Sequence, residues 1–376
     1  MSGGPLKLYV IAGEASGDLH GSNLIKAIKN LQPQAQIRGW GGDLMTDAGA
    51  EIVKHYRDLA FMGFIEVVMN IRTIAKNLAK VKEDILHYKP DGLILIDYPG
   101  FNLRIAEWAH EQGIKVFYYI SPQVWAWKEN RVKKIKRSVD HMYVVLPFEK
   151  DFFRKHQYEV NFVGHPLLDV ISARENNLQQ FLSDNKLPDK PIIALLPGSR
   201  KQEISTMLPI MLSVVKDYPD FQFVIGGAPG QTKDFYSPFL QGDTICLLFG
   251  STYQLLQYAK AGLVTSGTAT LEAGLFRMPQ VVCYKGSSIS YHIAKRLVKI
   301  KYISLVNLIL DRPAVTELIQ SDLNTSRIKE ELDHLLFDEK HKSKMVADYH
   351  ELHTKLGGPG ASGRVASHLL KILGRL

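Results

Sequence analysis

Three stretches of this sequence place chemically useful residues where a ligand could use them. The first is Ala12-Gly13-Glu14-Ala15-Ser16-Gly17-Asp18-Leu19-His20-Gly21. The second is Leu195-Leu196-Pro197-Gly198-Ser199-Arg200, and the third is Thr265-Ser266-Gly267-Thr268-Ala269-Thr270-Leu271-Glu272. In each, small residues follow a strand-like apolar run and precede a helix-like one. Glycine lets the backbone approach a ligand closely, and the first N–H groups of a helix receive an anion. Arg200, beside Ser199, falls at a helix start, where its guanidinium fork and the helix end both favour a diphosphate. The plainer role for Arg200 is an exposed cap residue. Ser266, Thr268 and Thr270 add hydroxyl donors, Gly267 and Ala269 add room, and Glu272 can accept from ribose hydroxyls one turn further on. The first stretch is either a ligand loop or a tight strand-to-helix turn, and Glu14, Ser16, Asp18 and His20 crowded together argue for the ligand.

A base is the second requirement if a hydroxyl is to react, because a hydroxyl is a weak nucleophile. Asp97 ends the apolar run Leu93–Ile96 and is the first candidate. Glu14 and His20 are its rivals, and a helix N-cap is the structural alternative for Asp97. Several common sites are absent. There is no Gly-Lys pair for a Walker loop and no Asp-x-Asp, and Gly13 and Gly17 do not make Gly-x-Gly-x-x-Gly. His350-Glu351-Leu352-His353 has the wrong spacing for zinc. No metal site and no cofactor are expected, so Arg200, the hydroxyls and the helix ends would stabilise a departing diphosphate.

These residues need strands and helices to hold them. Apolar runs three to seven residues long recur at Leu6–Ala12, Leu93–Ile96, Lys115–Ile120, Met142–Leu146, Val160–Val163, Ile192–Leu196, Phe221–Ile225, Leu263–Thr265 and Gln280–Tyr284. Several are apolar throughout, as in strands buried on both faces. Helical segments alternate with them. From Ile65 to Tyr88, Ile71, Ile74, Leu78, Val81 and Ile85 make one apolar stripe that Pro90 ends. Alternating strand and helix predict an α/β fold with parallel sheets. The pattern restarts at Ile192 after a polar segment, so two Rossmann-like domains are expected, 1–172 and 173–376, facing each other across a cleft. From Ser326 onward the chain reads as helices, the last packing back across the domains and offering surface for a homodimer.

The 376 residues exceed what one core ordinarily holds. The hydrophobic fraction of 45% and the charged fraction of 22% are those of a globular protein. Cys246 and Cys283 fit reduced core thiols. The start lacks a signal peptide's pattern, and no run of about 18 apolar residues occurs. A cytoplasmic protein is expected. The net charge of +8 favours anionic partners. Met62, Phe64, Ile65, Val68 and Met69 lie just before Arg72 and Lys76, with Trp125 and the basic run from Arg131 to Arg137 further on. Apolar residues beside a basic row suit an anionic bilayer surface; a buried helix with one solvated side is the alternative. The basic run could equally meet RNA, but no repeat of stacking aromatics supports it, and no nucleic-acid partner is expected.

The residues also resemble a known family. Gly13-Glu14-Ala15-Ser16-Gly17-Asp18, Met62-Gly63-Phe64-Ile65-Glu66-Val67, Ser121-Pro122-Gln123-Val124-Trp125-Ala126-Trp127 and Leu146-Pro147-Phe148-Glu149 are similar to segments of the lipid A disaccharide synthases. So are Gly164-His165-Pro166, Leu196-Pro197-Gly198-Ser199-Arg200, Ser266–Glu272, Asn307-Leu308 with Glu317-Leu318-Ile319-Gln320, and Gly360-Ala361-Ser362. They run in order from residue 7 to about 370. The resemblance implies a GT-B glycosyltransferase that joins UDP-2,3-diacylglucosamine to 2,3-diacylglucosamine 1-phosphate. The products would be the β-1,6-linked disaccharide 1-phosphate and UDP, formed on the cytoplasmic face of the inner membrane. It implies that Asp97 is catalytic, that Arg200 and Ser266–Glu272 hold UDP, and that Asn307, Glu317 and Gln320 lie near the donor. Gly100 stands where the family usually has a second Asp, which puts more weight on Asp97. Val306 and Thr316 replace prolines. A UDP-sugar 2-epimerase and a non-catalytic UDP-sugar or lipid-binding protein are the competing readings.

Overall fold

A computed structural model describes residues 4–59, 71–126, 129–172, 177–240, 245–286 and 301–376. Met62, Phe64, Ile65, Val68 and Met69 lie outside the described residues. The chain forms two compact units, Met1–Asp169 with Leu356–Leu376, and Val170–Lys355. The division at 172 expected from sequence falls at the end of the helix Leu167–Ser172.

The first unit is built on seven parallel strands. They are β1 (Lys7–Ala12), β2 (Gln36–Gly41), β3 (Glu51–His55), β4 (Gly92–Ile96), β5 (Val116–Tyr119), β6 (His141–Val144) and β7 (Asn161–Phe162), in the order β3-β2-β1-β4-β5-β6-β7. The second unit repeats the plan with β8 (Ile192–Leu196), β9 (Gln222–Gly227), β10 (Ile245–Phe249), β11 (Ala261–Thr265), β12 (Gln280–Tyr284) and β13 (Thr316–Ile319), in the order β10-β9-β8-β11-β12-β13. In each sheet the first strand lies inside and the order reverses beside it. Such a reversal leaves a crevice at the strand C-termini, where α/β proteins bind ligands. The strands β2, β3 and β13 escape apolar-run reading because Arg38, Lys54 and Glu317 interrupt them, whereas β10 is apolar throughout and was an available signal.

Residues alternate between the two faces of the first sheet. Tyr9, Ile11, Leu93, Leu95, Val116 and Tyr118 share a core with Val81 and Ile85. Those two belong to a helix, Ile71–Tyr88, whose apolar stripe matches the one predicted. Phe101 and Ile105 join that core from the helix Pro99–Glu111. The opposite face takes the helix α1 (Ala15–Leu31) and the last helix, Ala361–Ile372. There a side chain at Gly21 would meet Ile96, and Tyr143 Oη hydrogen-bonds His368 Nδ1 at 3.0 Å. The last helix is capped by Asp169, whose carboxylate accepts the amides of Gly360, Ala361 and Ser362. Arg364 Nε donates to Val163 O at 2.8 Å nearby.

One sequence expectation changes here. The helix after β1 starts at Ala15, not Ser22, so Ser16, Gly17, Asp18, His20 and Gly21 occupy its first turns. The glycines serve packing: a Cβ on Gly17 would lie 3.2 Å from Ala12 Cβ, and one on Gly21 2.7 Å from Met45 Sδ. Asp18 is only 3% exposed. Its carboxylate accepts Gly42 N at 2.7 Å, and Leu44 N and Met45 N at 3.1 Å, at the start of the helix Asp43–Asp47. It is an internal cap, not a group offered to a substrate. Asp18→Ala would strand these amides at about 1–3 kcal/mol. Thermal denaturation should show a melting point lower by several degrees, with a smaller loss for Asp18→Asn, which keeps one carbonyl acceptor.

Candidate active site

The two sheet reversals bring specific residues together. In the first unit β1 pairs with β4, Ala12 opposite Ile96. Gly13-Glu14 and Asp97-Tyr98 therefore leave the sheet side by side. A Cβ on Gly13 would overlap the Tyr98 ring, so only glycine permits this approach. Asp97 and Tyr98 both adopt left-handed backbone, φ 45° and 48°, a conformation costing roughly 1–2 kcal/mol per non-glycine residue. Asp97 is not the N-cap of the next helix; Tyr98 is. Burial, the Glu14 charge and a weaker opposing backbone hydrogen bond set the Asp97 carboxyl at about 7, well above its ordinary value. A carboxyl that titrates near neutrality can exchange a proton with a substrate. Glu14 itself is exposed at the start of α1. Ser16 is exposed in the first turn of that helix.

His20 belongs to a different group. Its Nδ1 is buried with no hydrogen-bond partner, and burial lowers its pKa to about 4, against a smaller opposing effect of Asp169. His165 is lowered to about 3 by burial and by His20. Both rings are neutral at neutral pH, and among the groups that set the Asp97 pKa only Glu14 is charged.

The Ser121–Trp125 segment leaves β5, the strand next to β4. Sequence reading gave its anchor, Glu149, no role. Glu149 is 1% exposed and takes the Ser121 hydroxyl, Leu146 N at 2.8 Å and Val145 N at 3.2 Å. Burial pushes it up to about 7. The signal was present: a glutamate at the third position of a helix that begins Pro147-Phe148 is a capping-box pattern. Trp125 is half-buried, edge-on to Phe148 at 4.9 Å between ring centroids, and not the free surface anchor expected. Arg72, Lys76 and Lys80 are exposed along the helix Ile71–Tyr88, four residues apart.

In the second unit β8 pairs with β11, Leu196 opposite Val264. Gly198–Arg200 and Ser266–Thr268 therefore emerge together. Gly198 has φ 113°, a conformation left to glycine. Arg200 caps the helix Lys201–Leu212, and its side chain is 70% exposed. The amides there are occupied: Glu203 Oε2 accepts Ser199 N at 3.1 Å and Arg200 N at 3.2 Å, while Arg200 Nη1 meets Glu203 Oε1 at 3.1 Å. A carboxylate already sits where an anion would, and a diphosphate would have to displace it. Gly267 and Thr268 are exposed at the start of the helix Thr268–Leu275, with Ala269 half-buried.

Other second-unit residues turn inward. Thr270 is fully buried and donates to Gly267 O, and Ser266 Oγ donates to Ile303 O, both at 2.8 Å. Asn307 is 1% exposed; its Oδ1 accepts Ala314 N and Val315 N, and its Nδ2 donates to Val315 O and Glu317 Oε1. Glu317 also accepts Ile303 N and Ser304 N. These bonds within the chain shape the loops around Ser266, Thr270, Asn307 and Glu317. Gln320 differs: at the end of β13, in left-handed backbone, its Nε2 is buried and unpartnered. Glu272 accepts from Tyr253 Oη at 3.2 Å, and burial raises its pKa.

Two sheets in this doubly wound order, each with a glycine-bearing loop at its reversal, define the GT-B class of α/β protein. The chain is similar to the UDP-GlcNAc 2-epimerase of Neisseria meningitidis bound to UDP-GlcNAc, with a TM-score of 0.67 at 14% identity, over 97% of this chain and 99% of that one. It is similar also to the glycotransferase of kitacinnamycin, with a TM-score of 0.66 at 13% identity, over 98% and 100%. Sequence comparison narrows the class. The family model described as lipid-A-disaccharide synthetase matches residues 8–371. A lipid-A-disaccharide synthase of Trichlorobacter lovleyi is 38% identical over 99% of this chain and 98% of its own length, and one of Geobacter metallireducens 40% identical over 98% of both. The chain belongs to the lipid-A-disaccharide synthase family, a glycosyltransferase family of lipid A biosynthesis.

The raised pKa of Asp97 has a consequence for stability. The folded value, about 7, lies above the ordinary carboxylate value of 3.8. Folding thus favours protonated Asp97, and that stabilisation is lost as pH rises from about 4 through 7. Asp97→Asn removes this penalty. Its melting point should rise relative to the parent between pH 5 and pH 8, as followed by circular dichroism; an equal difference at both values contradicts the assignment.

Proposed function

We propose that the protein transfers 2,3-diacylglucosamine from its UDP donor to the 6-hydroxyl of 2,3-diacylglucosamine 1-phosphate, in one inverting step without a metal ion. The observation that carries the reading is Asp97, a half-buried carboxyl at the reversal of the first sheet that titrates near neutrality. Asp97 accepts the proton of the acceptor 6-hydroxyl as its oxygen bonds to C1 of the donor sugar. The bond from C1 to the diphosphate oxygen breaks, and UDP leaves with the electron pair. Attack opposite the leaving group converts an α-linked donor to a β-1,6 linkage.

The second unit supplies the other half of the chemistry. Arg200, the amides at Gly267–Ala269 and the Thr268 hydroxyl stabilise charge on the departing diphosphate. Glu272 accepts from the ribose, and Gln320 Nε2 donates to the nucleoside. In this reading cationic assistance falls to Arg200. The exposed row Arg72, Lys76 and Lys80 meets the anionic headgroups of the inner membrane, from which both acylated substrates come. Among the described residues no helix is long and apolar enough to cross a membrane.

Mass spectrometry of the products decides the reaction. Incubation of the two lipids with purified protein in EDTA should give the tetraacyl disaccharide 1-phosphate and UDP. Donor consumption without acceptor would point to a 2-epimerase, and loss of activity in EDTA would sink the metal-free step. Asp97→Ala should lower kcat by about 10²–10⁴-fold, the usual contribution of a general base. For the parent, kcat/KM should rise with pH through a midpoint near 7, as the base must be ionised.

A further inference from the structure

The left-handed Asp97-Tyr98 turn is a costly backbone, and such a conformation persists only where its surroundings hold it. Three side-chain hydrogen bonds do so. Asn102 Nδ2 donates to Ile96 O at 3.2 Å and to Asp97 O at 2.8 Å. Tyr118 Oη donates to Asp97 O at 2.5 Å. Main-chain bonds support them: Asp97 N donates to Tyr119 O at 3.1 Å, and Asn102 N to Tyr98 O at 3.0 Å. Asn102 and Tyr118 are both fully buried, so neither can touch a substrate.

Asn102 is an expensive way to fill this space. Its Oδ1 is buried with no partner, so half of its polar capacity is desolvated without return. A leucine would fill a similar volume without that loss. The Nδ2 fork, which joins two successive carbonyls, is what the asparagine adds.

We infer that Asn102 and Tyr118 are positioning residues that clamp the Asp97 peptide in its left-handed turn and thereby aim the Asp97 carboxylate at the acceptor hydroxyl. The inference rests on the reading of Asp97 as the base. The ionisable groups that act on the turn are Glu14 from the facing loop, Tyr98 beside it, and Tyr118, which itself feels Arg131.

The test uses the full-length protein with Asn102→Leu, Tyr118→Phe and, as reference, Asp97→Asn. A reacting group misplaced by about 1 Å can cost on the order of 10²-fold. For Asn102→Leu, kcat should fall at least about tenfold, and for Tyr118→Phe severalfold, with KM for both substrates within about twofold. The acid limb of kcat against pH should move to lower pH in both, as a carboxylate freed from its buried place titrates nearer its ordinary range. A purely structural role would lower the melting point and leave that limb in place. If Asn102→Leu does not fold, Tyr118→Phe decides alone, since it removes one hydroxyl from an unaltered ring. Parental kcat and an unmoved limb in the folded variants, with Asp97→Asn inactive, would overturn the clamp and leave the base standing. Full turnover by Asp97→Asn would instead remove the base, and the clamp's catalytic purpose with it.

Discussion

A parallel sheet whose strand order reverses cannot cover its own strand ends at the reversal. Connections on either side of the first strand leave for opposite faces, and the C-terminal ends there stay open. Both units of this protein are built on that constraint. In the first, the ends of β1 and β4 deliver Glu14 and Asp97 to one place. In the second, the ends of β8 and β11 deliver Gly198–Arg200 and Ser266–Thr268. Most residues with assignable chemistry lie within a few positions of those four ends.

The same openness sets the electrostatics. The Asp97 carboxyl is partly withdrawn from water and faced by Glu14, with no cation among the groups that set its pKa. A cation beside it would have fixed it as a carboxylate and lowered its basicity. The Gly198–Arg200 loop shows the opposite arrangement. There Arg200 is mostly exposed and already partnered by Glu203.

The sequence was informative where physics acts locally. Buried strands such as β4 and β8 are apolar along their whole length, and the stripe from Ile74 to Ile85 has the spacing of one helix face. The loops after β1, β4, β8 and β11 were legible because glycine and small residues there break both patterns. What stayed hidden depends on contacts distant in sequence. Asp18 looks like a loop carboxylate until its partners at Gly42–Met45 are known. Asn307 and Glu317 look like ligand donors until they are seen bonded to each other. Tyr118 reads as one more strand aromatic, and nothing near it announces the Asp97 carbonyl.

The last helix bears on how the protein is made. Residues Leu356–Leu376 belong to the first unit, although the whole second unit precedes them in the chain. Gln32 Nε2 donates to Arg375 O at 2.5 Å, and a Cβ on Gly92 would lie 3.5 Å from Leu373. Domains ordinarily complete themselves in the order of their synthesis. Here that order is inverted: one face of the sheet that carries Asp97 waits for Leu356–Leu376, while the intervening unit already has all of its chain. The unit that holds Asp97 is begun first and closed only after the other has been made.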